Sequence, residues 1–258
     1  MSKFAQFFAP PVAALCLLVA LWEGLVRALA VPAFLMPPPS AIARAAMENG
    51  PLLRAAVLQT GMTALAGFLL SACLGNAAAW LLGSFRFLER AFYPYTLFLQ
   101  TVPIVTIAPL LVLWFGSGSA AVAVAAFIVS VFPVITGTIS GMRSVDPNLR
   151  DLFRLYGASR LSILTKLEIP AALPQTVTGL RVASGLAVIG AIVGEFVAGF
   201  ADESPGLGIV VLTAYRQLKT DLLFAAVLGS SALGLALFAG VQLAGHLLLR
   251  RWHPSARS

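Results

Sequence analysis

Six long apolar runs separated by short polar connections dominate the chain. A helix needs about 20 apolar residues, at 1.5 Å each, to cross a hydrocarbon core of about 30 Å. On that criterion the runs predict six membrane-spanning helices over residues 11–31, 59–83, 92–115, 119–142, 176–200 and 222–249. Lys3, the first run and Ala28-Leu29-Ala30 loosely imitate a cleavable leader. That run is long enough to span and five more follow it, so it reads as a retained first span.

One polar interruption stands out in the second half, at residues 146–174. It carries Arg150, Arg154, Arg160 and Lys166 among Asp146, Asp151 and Glu168, with Arg143 just ahead of it. Such a segment cannot cross hydrocarbon, and its excess of cations assigns it to the cytoplasmic side. Asp146 followed by Pro147 is a helix start, a capping carboxylate with proline at the first helical position. Leu149, Leu152, Phe153 and Tyr156 then share one helical face and Arg150 and Arg154 another. Gly157 can take the positive φ that ends this helix. Ser159 caps a second short helix, which stops before Pro170. The pattern therefore predicts two short amphipathic helices joined at Gly157. By itself it fits either a loop resting on lipid headgroups or a docking site for a partner protein.

The other connections give smaller elements. After Pro37-Pro38-Pro39, Ser40 is placed to cap an external helix over 41–49. Pro103 and Pro109 bend the third span, and Trp114 to Gly118 reads as an aromatic anchor and tight turn at the outer interface. Gly137/Gly141 and Gly190/Gly194 are GxxxG pairs, which let helix backbones approach closely.

Composition agrees with this pattern. Hydrophobic residues make up 59% of the 258 and charged residues 10%, and mean hydropathy is +0.93, which together define a polytopic membrane protein. The net charge of +7 does not indicate nucleic acid, because the cations sit in short loops. With the N-terminus inside, 12 of the 17 Lys and Arg residues face the cytoplasm, Arg250, Arg251 and Arg257 among them. The other five, Arg27, Arg44, Arg54, Arg216 and Lys219, lie outside, so both termini are assigned to the cytoplasm. Cys16 and Cys73 lie within apolar runs and read as small buried hydrophobes rather than a disulfide.

Chemistry-bearing residues are sparse. No phosphate-binding G-x-x-x-x-G-K-[ST], H-E-x-x-H or nucleophile–His arrangement is present, so no catalytic residue is assigned. His246 stands alone, which argues against a metal site. Glu195 lies within the fifth span, where an acid either lines the translocation path or pairs with Arg216 or Lys219 or caps the following loop. Gln100 and Thr101 are candidate path-lining groups, although helix-to-helix hydrogen bonding explains them equally. Glu23 and Arg27, one turn apart, read as an ion pair.

The polar segment resembles the EAA loop of ABC importer permeases, the inner-membrane components of binding-protein-dependent transport systems. Asp151, Gly157 six positions later and Leu167-Glu168-Ile169-Pro170 match its acid, glycine and I-x-L-P elements. Leu152 and Phe153 replace the usual alanines, so the contact surface is bulkier and selects its own partner. Phe34-Leu35-Met36-Pro37-Pro38-Pro39-Ser40, the Pro103–Pro109 stretch, Val131-Phe132-Pro133, Gly194-Glu195-Phe196 and Gly206-Leu207-Gly208 are similar to the nitrate, sulfonate and taurine branch.

The resemblance implies a type I ABC importer fold, all-α with six transmembrane helices in a single permease domain over 1–258. It implies that Asp151, Leu152, Phe153, Arg154, Tyr156, Gly157, Ile169 and Pro170 couple to a cytoplasmic ABC ATPase dimer. It further implies a second permease subunit forming a homodimer, an external solute-binding protein, and ATP and Mg on the ATPase, with no cofactor on this chain. The substrate is then a small solute, either a sulfonate-, taurine- or nitrate-like anion or a vitamin precursor. The rival is an ion-coupled secondary transporter or channel that uses Glu195 as its relay.

Overall fold

The computed structural model describes residues 3–199 and 204–249. Phe200, the expected end of the fifth span, and Arg250, Arg251 and Arg257 lie outside the described residues. The described chain is helical, with no strand: α1 (Lys3–Ala28), α2 (Pro39–Glu48), α3 (Gly50–Leu70), α4 (Asn76–Ser84), α5 (Arg86–Thr101), α6 (Ile104–Phe115), α7 (Ser119–Arg143), α8 (Pro147–Leu155), α9 (Arg160–Ile163), α10 (Ile169–Ala198), α11 (Leu207–Arg216) and α12 (Thr220–Leu249). Wide π turns at Ser71–Gly75 and Leu164–Glu168 join α3 to α4 and α9 to α10, giving continuous helices over Gly50–Ser84 and Arg160–Ala198. With Ala9–Ala28, Ser119–Arg143 and Thr220–Leu249, these are the five described helices long and apolar enough to cross a membrane.

The third expected span is divided. Val102 takes an extended conformation (φ −75°, ψ 120°) ahead of Pro103, as a residue before proline prefers. The chain therefore breaks between α5 and α6, whereas Pro109 is carried inside α6. The second short helix expected to stop before Pro170 does not stop there. The π turn widens the hydrogen-bond spacing, so that the Ile169 N–H reaches the Leu164 carbonyl. That accommodates a proline that cannot donate, and α9 becomes the leading turn of α10.

The centre of the fold is the α7–α10 pair, packed through small residues. A β-carbon on Gly137 would lie 2.9 Å from the Gln175 carbonyl, and one on Gly141 2.7 Å from Ala172. One on Gly190 would lie 2.8 Å from Ala126. Both GxxxG pairs are thus used within the chain, each against the other's helix. Ala121, Ala125, Ala126, Ala183, Ala187 and Ala191 fill the seam. Without a hydrophobic driving force between helices in lipid, this close approach supplies the contact energy. Gly179→Ala would set a methyl group against the Pro133 carbonyl. We expect it to lower the thermal stability of the solubilised chain by about 1–3 kcal/mol, with Gly185→Ala, which meets nothing within 4 Å, as the unaffected control.

Polar ties add register. The hydroxyls of Ser71 and Ser130 hydrogen-bond at 2.6 Å, and Thr138 Oγ1 donates to Asn76 Oδ1 at 2.7 Å. α1 lies at the periphery, touching α12 through Trp22 and Phe224, whose rings are 5.8 Å apart. Cys16 and Cys73 are free thiols on exposed helix faces rather than buried.

Ser40 does not cap its helix. α2 begins one residue earlier, at Pro39, and Ser40 meets Glu23 of α1 instead. Its N–H donates to Glu23 Oε2 at 2.9 Å and its hydroxyl to Oε1 at 2.8 Å. Glu23 also forms the expected pair with Arg27, at 2.5 Å. A carboxylate from another helix thus satisfies the first turn of α2, which a scan for local caps cannot see.

Candidate functional site

The polar segment builds α8 as its sequence dictates. Asp146 Oδ1 accepts the Asn148 N–H at 2.9 Å and Pro147 occupies the first helical position. At the other end Gly157 has φ +70°. Its N–H donates to the Arg154 carbonyl at 2.9 Å, and the Ala158 N–H to that of Phe153 at 3.0 Å. This pair of bonds defines a left-handed helix end. Ser159 Oγ accepts the Ser162 N–H at 3.3 Å to start α9.

The inner side of α8 is fastened by charge. Glu168, 1% exposed, accepts through Oε1 from Arg150 of α8 at 3.1 Å and from Arg160 of α9 at 2.9 Å. Arg160 also donates to the Ser84 carbonyl, from Nη2 at 2.8 Å and Nε at 3.2 Å. The end of α4, the α8–α9 segment and the base of α10 are therefore tied together through one carboxylate and its two arginines. Glu168 was not singled out as a site residue by sequence. The available signal was a cation eight residues upstream on the same helix, close to two turns away.

The outer side of α8 is left bare. Leu149, Leu152 and Tyr156 are exposed, as is Leu155, while Phe153 is half-buried. Asp151 points outward and pairs with Arg154 at 3.2 Å. Ile169 and Pro170 do not join this face; they are half-buried where α10 begins, next to Glu168.

A second polar cluster lies near the far end of α10. Glu195, 2% exposed, accepts the Thr60 hydroxyl of α3 at 2.7 Å and the Gly208 N–H at 2.7 Å. Thr60 Oγ1 in turn accepts the Leu207 N–H at 2.8 Å. The carboxylate and hydroxyl together satisfy the first free donors of α11, where the helix dipole favours negative charge. A β-carbon on Gly206 would collide with this carboxylate, and one on Gly208 would lie 2.6 Å from the Ile192 carbonyl. The two glycines thus make room for Glu195. This is the capping geometry among the alternatives left open by sequence.

Gln100 and Thr101 are exposed at the end of α5, Thr101 donating its hydroxyl to the Phe98 carbonyl at 2.8 Å. Across α6, the Gly118 N–H donates to the Ala198 carbonyl, one turn beyond Glu195. The twelve residues of α6 span roughly 18 Å. The three candidate path residues therefore do not form one constellation.

The family model for binding-protein-dependent transport system inner membrane components matches residues 71–253, a stretch that holds α8, its Glu168 anchor and Glu195. The chain belongs to this family. The permease is also similar to a riboflavin transport system permease protein of Chloroflexus aurantiacus, at 35% identity over 93% of this chain and 89% of that one. A formylaminopyrimidine transport permease protein of Halalkalibacterium halodurans is 32% identical over 96% and 98% of the two chains. A putative aliphatic sulfonates transport permease protein of Bacillus subtilis is 29% identical over 92% and 85%. Membership makes this a multi-pass membrane protein of the ABC permease type, a transporter subunit rather than an enzyme.

Proposed function

We propose that this permease forms the translocation path of an ATP-driven, binding-protein-dependent importer, and that α8 is the surface through which an ATPase moves it. The observation that carries this is a helix with one side bare and apolar and the other ion-paired through Arg150 to Glu168 at the base of α10, the carboxylate that also holds Arg160 against the end of α4. A partner gripping Leu152 and Tyr156 would move α4 and α10 with α8 rather than bend a loop. Asp151, Phe153, Arg154 and Gly157 complete that contact, and Ile169 and Pro170 transmit it. The assembly pairs this chain with a second, identical permease, an ATPase dimer holding ATP and Mg, and an external solute-binding protein. Both termini then face the cytoplasm, across a bacterial-type inner membrane. Gln100, Thr101 and Glu195 belong to the route in this scheme, the last by holding α11. The relatives named for riboflavin and formylaminopyrimidine cover more of the chain, at higher identity, than the sulfonate relative. That favours a small heterocycle such as a vitamin precursor as the solute over a sulfonate-like anion.

Gly157→Val tests the docking role. Nothing lies within 4 Å of an added β-carbon, so the cost is confined to the backbone at φ +70°, about 1–2 kcal/mol. Retention of the ATPase on the permease and ATP-dependent uptake should both fall, by about 5- to 30-fold. Unchanged retention and uptake would remove α8 from coupling. Uptake that follows an ion gradient and survives ATP depletion would favour the secondary-transporter alternative.

A further inference from the structure

Behind α8, the adjoining ends of α4, α5, α7 and α9 enclose a recess of about 1050 Å³. Its wall carries five arginines, Arg90, Arg143, Arg150, Arg154 and Arg160. Three carboxylates oppose them there, Glu89, Asp146 and Glu168, and Arg154 is paired with Asp151, leaving a surplus of one positive charge. Arg143 sits on Glu89, and Arg150 and Arg160 share Glu168. Arg90 pairs with no carboxylate among the described residues. The buried Nε of Arg150, Oγ of Ser84 and Oε2 of Glu168 have no hydrogen-bond partner there either. An anion entering the recess would meet the exposed, uncompensated guanidinium of Arg90.

A second opening of about 440 Å³ adjoins it, with Trp80, Leu81, Phe85, Leu161 and Leu164 as its apolar walls. Ser84 and Arg160 border both spaces. A cation-rich chamber meeting an apolar groove at the end of a span suits a phosphate ester that carries a hydrocarbon chain. A soluble anion would leave the groove without an occupant, and a neutral lipid would leave the charge surplus unmatched. We propose that an anionic phospholipid binds here, its phosphate toward Arg90, Arg150 and Ser84 and one acyl chain along Trp80, Leu161 and Leu164. The binding is independent of the ATPase-docking role. Only its consequence, that such a lipid would set the stiffness of the α8 anchor, rests on that role.

The test is native mass spectrometry of the full-length permease titrated with dioleoylphosphatidylglycerol, dioleoylphosphatidylcholine or glycerol 3-phosphate. One surplus charge should favour phosphatidylglycerol over phosphatidylcholine by roughly fivefold. Arg90→Gln, at an exposed and unpaired position, should weaken it about fivefold. Leu161→Gln, on the groove wall, should weaken both lipids. Equal retention of the two lipids, or unchanged binding in both variants, would overturn the proposal. So would glycerol 3-phosphate binding as tightly as phosphatidylglycerol, which would make the recess a site for a soluble anion. None of these readouts requires ATPase or transport, so failure here and failure of the docking role are separable.

Discussion

Glu168→Ala is expected to leave the permease inserted in the membrane and to cut uptake at least tenfold. The substitution strands two guanidinium groups that now share one carboxylate oxygen, Arg150 at 3.1 Å and Arg160 at 2.9 Å. Removing one partner of a buried ion pair costs about 3–5 kcal/mol. Here the arginines are 25% and 39% exposed, so water recovers part of that, and a loss on the order of 2–3 kcal/mol is the better figure. It falls on the junction between α8 and the spans, because insertion is driven by apolar stretches and Glu168 lies at the polar foot of its own span. The expected signature is an assembled complex that still hydrolyses ATP but transports poorly. Glu168→Gln keeps one acceptor oxygen and should lie between the two. Arg154→Ala breaks only the exposed pair with Asp151, so its effect should come through ATPase contact and not through the anchor. Normal uptake by Glu168→Ala would mean that movement does not pass through this carboxylate.

What could be read in advance separates by the range of the interaction. Asp146, Pro147, Gly157 and Ser159 act within four residues of themselves, and the structure places each cap and the positive φ where local chemistry puts them. The glycine spacing in α7 and α10 gave close packing for a similar reason, since a missing side chain states its own purpose. Ser40 shows the limit. Its type and position suit a cap, yet a carboxylate 17 residues earlier claims both its donors. Prolines mislead in the same way: Pro103 breaks a helix and Pro109 does not. Pro170 is absorbed because five residues before it form a π turn, which no residue type encodes. The anchoring role of Glu168 and the capping role of Thr60 are not legible in sequence, because they depend on partners 18 and 135 positions away. Hydropathy found five of the six expected spans as long apolar helices, without the break in the third or which of them touch.

Glu195→Leu is expected to loosen α11 from α3 and α10 and to lower the unfolding temperature of the purified permease more than Glu195→Gln does. Leucine accepts nothing, so the Thr60 hydroxyl and the Gly208 N–H, now held at 2.7 Å each, both become orphans. A buried unsatisfied donor costs about 1–3 kcal/mol, and at 2% exposure the Glu195 site is closed to bulk solvent. The start of α11 also loses the negative charge that its dipole favours. Glutamine retains one carbonyl acceptor and the length of the side chain, and Gly206 and Gly208 still leave room for it. Assembly should therefore survive Glu195→Gln while transport changes. The two variants separate capping from a direct role in the path. If stability and uptake fall together through the series Glu, Gln, Leu, the carboxylate acts by fixing α11. If Glu195→Gln alters uptake with no change in unfolding temperature, the charge itself meets the solute or its route. An unchanged melt in Glu195→Leu would contradict the capping assignment, because two buried donors cannot lose their acceptor without cost.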